Sequence, residues 1–219
     1  MFRSQWQYRA VARRIIIAGL LWGCANGPWA LAAIPVTSRT ILVLGDSISA
    51  EYGLPRDTGW VQLLRGRLQD QHKDYNVVNA SISGDTTGGG AERLPALLER
   101  AKPAVVIIEL GGNDGLRGLQ LSATENNLRS MIEASQAAHA RVLLVGMQLP
   151  PNYGRDFTER FAKLYPTLAA RYHTALVPFL FEGFADQLDL FQPDRIHPTE
   201  AAQARLLGNV WPYLAPLVP

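Results

Sequence analysis

Residues 41–53 read Ile-Leu-Val-Leu-Gly-Asp-Ser-Ile-Ser-Ala-Glu-Tyr-Gly (ILVLGDSISAEYG). Four apolar residues followed by a glycine, an acid and a hydroxyl have the pattern of a short buried strand opening into a polar turn. Ser47 at that point is either the cap of a following helix or a nucleophile held where a sheet meets solvent. The rest of the chain decides which.

Downstream, apolar runs alternate with segments of helical period. Strands are expected at Ile41–Leu44, Asn76–Ala80, Ala104–Leu110, Arg141–Met147 and Ala175–Phe179. The run AVVIIEL (104–110) is apolar almost throughout, as a central strand covered on both faces must be. Pro178 donates no backbone hydrogen bond, which assigns the last strand to an edge. Between the strands, Trp60, Leu63, Leu64 and Leu68 recur at helical spacing. So do Leu94, Leu97, Leu98 and Ala101, with Lys102-Pro103 as a stop. Leu128, Met131, Ile132 and Ser135 mark another helix. Phe157, Phe161, Leu164, Tyr165 and Leu168 mark the next, which Pro166 is expected to kink or whose boundary it should shift. Thr199 is expected to cap a last helix running towards Trp211, and Gly88-Gly89-Gly90 to form a loop before the second helix. Five strands alternating with helices predict an α/β fold, a parallel sheet covered on both faces. Such sheets bind ligands beyond the carboxyl ends of their strands, near a topological switch point.

Four polar segments lie at those ends: Gly45-Asp46-Ser47, Ala80-Ser81-Ile82-Ser83-Gly84-Asp85, Gly111-Gly112-Asn113-Asp114 and Asp194-Arg195-Ile196-His197. Their chemistry is complementary. A serine hydroxyl needs a base, which an imidazole such as His197 supplies, and a carboxylate such as Asp194 to orient the ring. Attack on a carbonyl creates an oxyanion. The N–H of Ser47, the N–H of Gly84 and the amide of Asn113 can receive it. Each segment alone has a plainer reading, as a helix cap, an incidental Asp-x-x-His or a turn. Their occurrence in order, each at a predicted strand end, favours the catalytic one.

These four blocks resemble the SGNH, or GDSL-type, hydrolase superfamily. Similar too are VVNASISGDTT (77–87), RLPALL (93–98), ELGGNDGLRG (109–118), LPPNYGR (149–155) and IHP (196–198), which look like bacterial periplasmic thioesterase/lysophospholipases and arylesterases. The resemblance spans about residues 40–215. It implies a three-layer α/β/α flavodoxin-like fold with a five-stranded parallel sheet, and hydrolysis of small acyl esters and thioesters, lysophospholipids among them. It also implies Ser47 as nucleophile, Asp194 and His197 as its partners, and Ser47, Gly84 and Asn113 as oxyanion donors. The loop after GGND would border an acyl groove, with Leu116, Leu119 and Leu121 as candidate contacts that core packing explains equally well. Glu51 and Gly88–Gly90 depart from the pattern beside the first two blocks. A non-catalytic binding protein on the same scaffold is the alternative. The G-x-S-x-G elbow of the α/β-hydrolases is missing, because Ser49 stands where it needs glycine.

Composition sets the outer limits. The 219 residues are 47% hydrophobic and 18% charged, enough for one globular domain with a sizeable core. Residues 1–32 carry Arg3, Arg9, Arg13 and Arg14 and no acid. The remainder, with 17 basic and 19 acidic residues, has nothing to attract nucleic acid. Arg13-Arg14, the apolar run Ile15–Trp22 and Ala30-Leu31-Ala32 read as a secretory signal cleaved near Ala32, with export to the periplasm expected. The alternatives are an uncleaved anchor, or a lipoprotein anchored at Cys24, the one cysteine. Residues 33–39 would be a short lead-in and 40–219 the hydrolase domain. No P-loop or metal-ligand constellation is present, so no cofactor is expected, and no stable protein partner is implied. His72, His139 and His173 have no partnered pattern and are expected at surface or packing positions.

Overall fold

A computed structural model describes residues 39–219. The expected signal, Cys24 and lead-in residues 33–38 lie outside the described residues.

Five parallel strands form one sheet: β1 (Arg39–Gly45), β2 (Tyr75–Asn79), β3 (Val105–Glu109), β4 (Arg141–Val145) and β5 (Ala175–Val177), in the order β2-β1-β3-β4-β5. The chain leaves β1 for one edge, then returns to β3 and proceeds to the other. The switch point therefore lies between β1 and β3. Every residue of β3 is buried, and β5 ends one residue before Pro178 at the sheet edge, both as the sequence requires.

Helices α1 (Trp60–Asp70) and α6 (Gln203–Leu214) pack together. Helix α2 (Thr87–Ala101) packs on α4 (Leu121–Ala137), and α4 on α5 (Arg155–Tyr172), giving an α/β/α sandwich. The short α3 (Gly112–Leu116) follows β3 directly. Trp60, Leu64 and Leu68 of α1 are buried, whereas Leu63 is turned out to solvent. Burying side chains of this size contributes about 1.5–3 kcal/mol each.

Three local expectations are corrected. Gly88, Gly89 and Gly90 belong to the first turn of α2, capped by the Thr86 hydroxyl, which accepts from the N–H of Gly89. Their low helix propensity is overruled by packing. A Cβ on Gly90 would lie 2.3 Å from Leu110 Cδ1 and 3.1 Å from Met131 Sδ, so the missing side chain lets α2 seat on the core. Pro166 sits inside α5, which runs on past it to Tyr172. The hydroxyl of Thr199 makes no cap bond. It donates instead to the carbonyl of Leu190 at 3.2 Å, and a 3₁₀ turn (Glu200–Ala202) intervenes before α6. The GGND stretch, read locally as a turn, begins a helix.

The three unpartnered histidines share one position. His72, His139 and His173 are exposed and left-handed (φ 52°, 61° and 53°), each just past the last turn of α1, α4 and α5. They are part of how those helices end.

Candidate active site

The segment after β1 turns at once into its functional geometry. Asp46 accepts from the N–H of Ile48 at 3.1 Å, an Asx turn that presents Ser47. From the far end of the chain, the 191–198 loop is closed on itself. Gln192 N–H donates to the carbonyl of His197 (2.8 Å), Arg195 N–H to the carbonyl of Gln192 (2.8 Å), and Phe191 bridges Pro198. The Gln192 side chain then ties this loop to the β1 loop by donating to the carbonyl of Tyr52 at 2.8 Å. Tyr52 in turn lays its ring against His197, centroids 4.4 Å apart.

Across that junction His197 Nε2 meets Ser47 Oγ at 2.8 Å, and His197 Nδ1 meets Asp194 Oδ2 at 2.7 Å. Asp194 Oδ1 accepts from the N–H groups of Ile196 (2.9 Å) and His197 (3.0 Å), so the carboxylate fixes both the ring and the loop that carries it. Slight burial pushes the Asp194 carboxyl up. The hydrogen bonds from His197 and Ile196 outweigh it and hold the group below the usual carboxylate range.

The predicted oxyanion donors are arranged around the switch point. Asn113, in α3, donates one amide hydrogen to Asp46 Oδ2 at 3.1 Å, which orients the carboxamide and leaves its second hydrogen. The N–H groups of Ser47 and Gly84 have no acceptor among the described residues. Gly84 is left-handed at φ 78°, where a side chain is disfavoured. Its loop is anchored to the end of β1 by Ile82 N–H donating to the carbonyl of Gly45 (3.1 Å), and to α3 by Arg117 donating to the carbonyl of Gly84 (2.8 Å).

Three side chains to which the sequence assigned no role hold these blocks together. Arg93, from α2, donates to Asp85 at 2.8 Å and to the carbonyls of Ala80 and Gly45. Asp114, buried, accepts from the N–H of Thr87 at the start of α2 (2.9 Å) and from the hydroxyls of Thr87 and Thr124. Glu51, the departure beside the first block, accepts from the N–H groups of Asp57 (2.9 Å) and Gly59 (2.8 Å), closing the loop that positions Tyr52.

Beneath Ser47 lies a pair of buried acids. Asp46 is 3% and Glu109 1% exposed, and the sheet register sets Glu109 beside Gly45. Glu109 Oε2 accepts from the Ser49 hydroxyl at 2.7 Å and faces the N–H of Asp46 at 3.4 Å. Ser49 in turn accepts from the indole of Trp60 at 3.1 Å. Burial pushes Asp46 up to about 6, and burial next to Asp46 pushes Glu109 well above the carboxylate range. Both shifts favour the protonated carboxyl, most strongly at the fully buried Glu109. A glutamate whose folded pKa is raised loses its stabilising contribution as pH rises from its unfolded value towards the folded one. Glu109→Gln, an isostere of the protonated acid, is expected to melt with the wild type at pH 4. By pH 8 it should melt several degrees higher, as thermal unfolding across that range will show. A pH-independent difference would contradict the assignment.

An apolar cavity of about 550 Å³ opens on this site, within the range that holds small-molecule ligands. Ser47, Asn113 and His197 line it together with Met147, Leu149, Pro150, Phe179, Phe181, Leu188 and Phe191. Of the three leucines expected here, Leu116 lines the cavity and the other two do not. Leu119 follows the left-handed Gly118 and stays 40% exposed, and Leu121 begins α4 and packs against the core. The wall comes from segments after β4 and β5. The rule that selected the polar residues, position beyond a strand's carboxyl end, would have found these as well had it been applied to Leu149-Pro150 and Phe179–Phe181. Among the described residues no group of acids, histidines or cysteines is placed to hold a metal ion.

The GDSL-like Lipase/Acylhydrolase family matches residues 43–205. Esterase TesA of Pseudomonas aeruginosa is 54% identical over 203 residues, covering 91% of this chain and 98% of its own. The thioesterase 1/protease 1/lysophospholipase L1 of Escherichia coli is 44% identical over 179 residues, covering 82% and 85%. Among solved structures, a crystal structure of TesA superposes with a TM-score of 0.80 at 57% identity, covering 82% of this chain and 99% of that one. The psychrotrophic esterase EstA from Pseudoalteromonas, inhibited by monoethylphosphonate, superposes at 0.78 with 39% identity, covering 81% and 97%. With its sheet order, its four blocks and these relatives in agreement, the chain belongs to the GDSL-like lipase/acylhydrolase, or SGNH hydrolase, family.

Proposed function

We propose that this protein is a serine esterase that hydrolyses carboxylic esters and thioesters through a covalent acyl-enzyme, in keeping with relatives named esterase, thioesterase, lysophospholipase and arylesterase. The observation that carries this reading is the continuous hydrogen-bonded chain Asp194–His197–Ser47 beside an apolar cavity. Ser47 Oγ attacks the carbonyl carbon while His197 Nε2 takes its proton, and the protonated ring returns that proton to the departing alcohol or thiol. Water, deprotonated by the same nitrogen, then releases the acid. Asp194 keeps the Nδ1 proton in place and stabilises the imidazolium. The N–H of Ser47, the N–H of Gly84 and the free amide hydrogen of Asn113 receive the oxyanion at each tetrahedral stage.

This division of labour is tested at Asn113. Asn113→Ala removes one oxyanion donor and should lower kcat for a nitrophenyl ester by about 10²–10³-fold, with KM little changed. An unchanged kcat would remove Asn113 from the role.

We further propose that residues 1–32 direct export to the periplasm and are removed after Ala32, in view of the arginine pair, the short apolar run and the Ala-Leu-Ala site. Amino-terminal sequencing of the protein recovered from its native host should begin at Ala33. An intact Met1, or lipid on Cys24, would contradict this.

A further inference from the structure

Arg195 lies between the two residues of the Asp194–His197 pair and lines the same cavity as Ser47. We propose that it recognises an anionic oxygen group, a phosphate or carboxylate, carried by the ester substrate. The enzyme would then select amphiphilic esters that place an apolar chain in the cavity and a negative charge at its mouth. This rests on the esterase reading of Ser47.

Four observations lead there. The backbone of Arg195 is fixed, because its N–H donates to the carbonyl of Gln192 at 2.8 Å and the next two N–H groups are held by Asp194. It is held at φ 60°, where glycine would sit with less strain, so the turn itself does not call for an arginine. The side chain is exposed, and its guanidinium has no carboxylate within ion-pair distance among the described residues, whose arginine ion pairs involve Arg93, Arg155, Arg160 and Arg171. The carboxylate in the cavity wall, Asp46, is already engaged by Asn113 and Ile48, and that of Asp194, the residue adjoining Arg195, by His197 and Ile196.

Apart from the catalytic imidazole, Arg195 is the one basic side chain in a wall otherwise dominated by Phe179, Phe181, Leu188, Phe191 and Ile196. Apolar surface inside and a planar donor fork at the rim suit a chain that ends in, or is followed by, an oxyacid. The plainer reading is an arginine that merely solvates the rim, and it predicts no charge preference.

The test uses the mature enzyme and two matched substrate pairs. One pair carries the charge on the acyl side: the nitrophenyl ester of octanoic acid and the nitrophenyl monoester of suberic acid. The other carries it on the alcohol side: monooctanoylglycerol and its phosphate. For each pair the readout is the ratio of kcat/KM, anionic over neutral. In Arg195→Gly, which the left-handed backbone accepts, that ratio should fall by about tenfold for at least one pair, the worth of a charged hydrogen bond. It should fall further in Arg195→Glu and be largely retained in Arg195→Lys. Added salt should erode the wild-type preference. The pair that responds identifies which side of the ester carries the anion. Equal ratios in wild type and Arg195→Gly for both pairs would overturn the proposal. Failure of the wild type to hydrolyse either neutral ester would instead overturn the esterase reading beneath it.

Discussion

Ser47→Ala is expected to lower kcat for nitrophenyl-ester hydrolysis by about 10⁶-fold, with an unchanged thermal unfolding transition. The magnitude follows from the geometry. The hydroxyl is the atom that would bond to the acyl carbon, and its partner is His197 Nε2 at 2.8 Å. Without it, the imidazole and the oxyanion donors can still act on bound water, which accounts for a small residual rate. The fold does not depend on the hydroxyl. The Asx turn that shapes this corner is made by the Asp46 side chain and the Ile48 N–H, and the Ser47 backbone carbonyl still receives Tyr52 N–H. Retained turnover in a preparation free of contaminating esterase would remove Ser47 from the nucleophile's role.

Asp194→Asn is expected to cost about 10⁴-fold in kcat, with far less effect on stability. The carboxylate now accepts from His197 Nδ1 through Oδ2, while Oδ1 accepts the N–H groups of Ile196 and His197. In the amide, the oxygen keeps the two backbone bonds that shape the loop, and the NH₂ faces the imidazole. That donor forces the ring proton onto Nε2, the nitrogen that must accept from Ser47, so the base is silenced by its tautomer rather than by displacement. Measured kcat at the wild-type pH optimum, with circular dichroism as the structural control, checks both halves. A loss of less than tenfold would mean that another group orients His197.

Much of this was legible in the sequence because each feature rested on one dominant physical constraint. An all-apolar run such as Val105–Ile108 needs cover on both faces, and Pro178 can end only an edge strand. A serine after β1, an amide after β3 and an imidazole in the segment beyond β5 point to the end of the sheet where ligands bind. What was not legible depended on partners far away in sequence. The glycines at 88–90 read as loop because their propensity is poor, and only Leu110 and Met131 explain why a helix needs them. The Thr199 hydroxyl was drawn from its cap position by the carbonyl of Leu190. The burial of Glu109 next to Asp46, which raises both carboxyl groups, follows from a strand register that sets residue 45 beside residue 109. The cavity wall was missed because its residues are ordinary core-forming types, distinguished only by standing beyond the ends of β4 and β5. Leu119 illustrates the converse, a leucine in the right loop that a left-handed glycine turns away.

The central claim is that one hydroxyl, activated by His197, forms the covalent bond to the acyl group. The most direct measurement is intact and peptide mass analysis after treatment with a fluorophosphonate, which traps an activated serine as its phosphonyl ester. A single adduct is expected, located on Ser47 and absent from both Ser47→Ala and protein with the imidazole removed by His197→Ala. No adduct on the active wild-type enzyme, or an adduct on Ser49 or Ser81 instead, would contradict it.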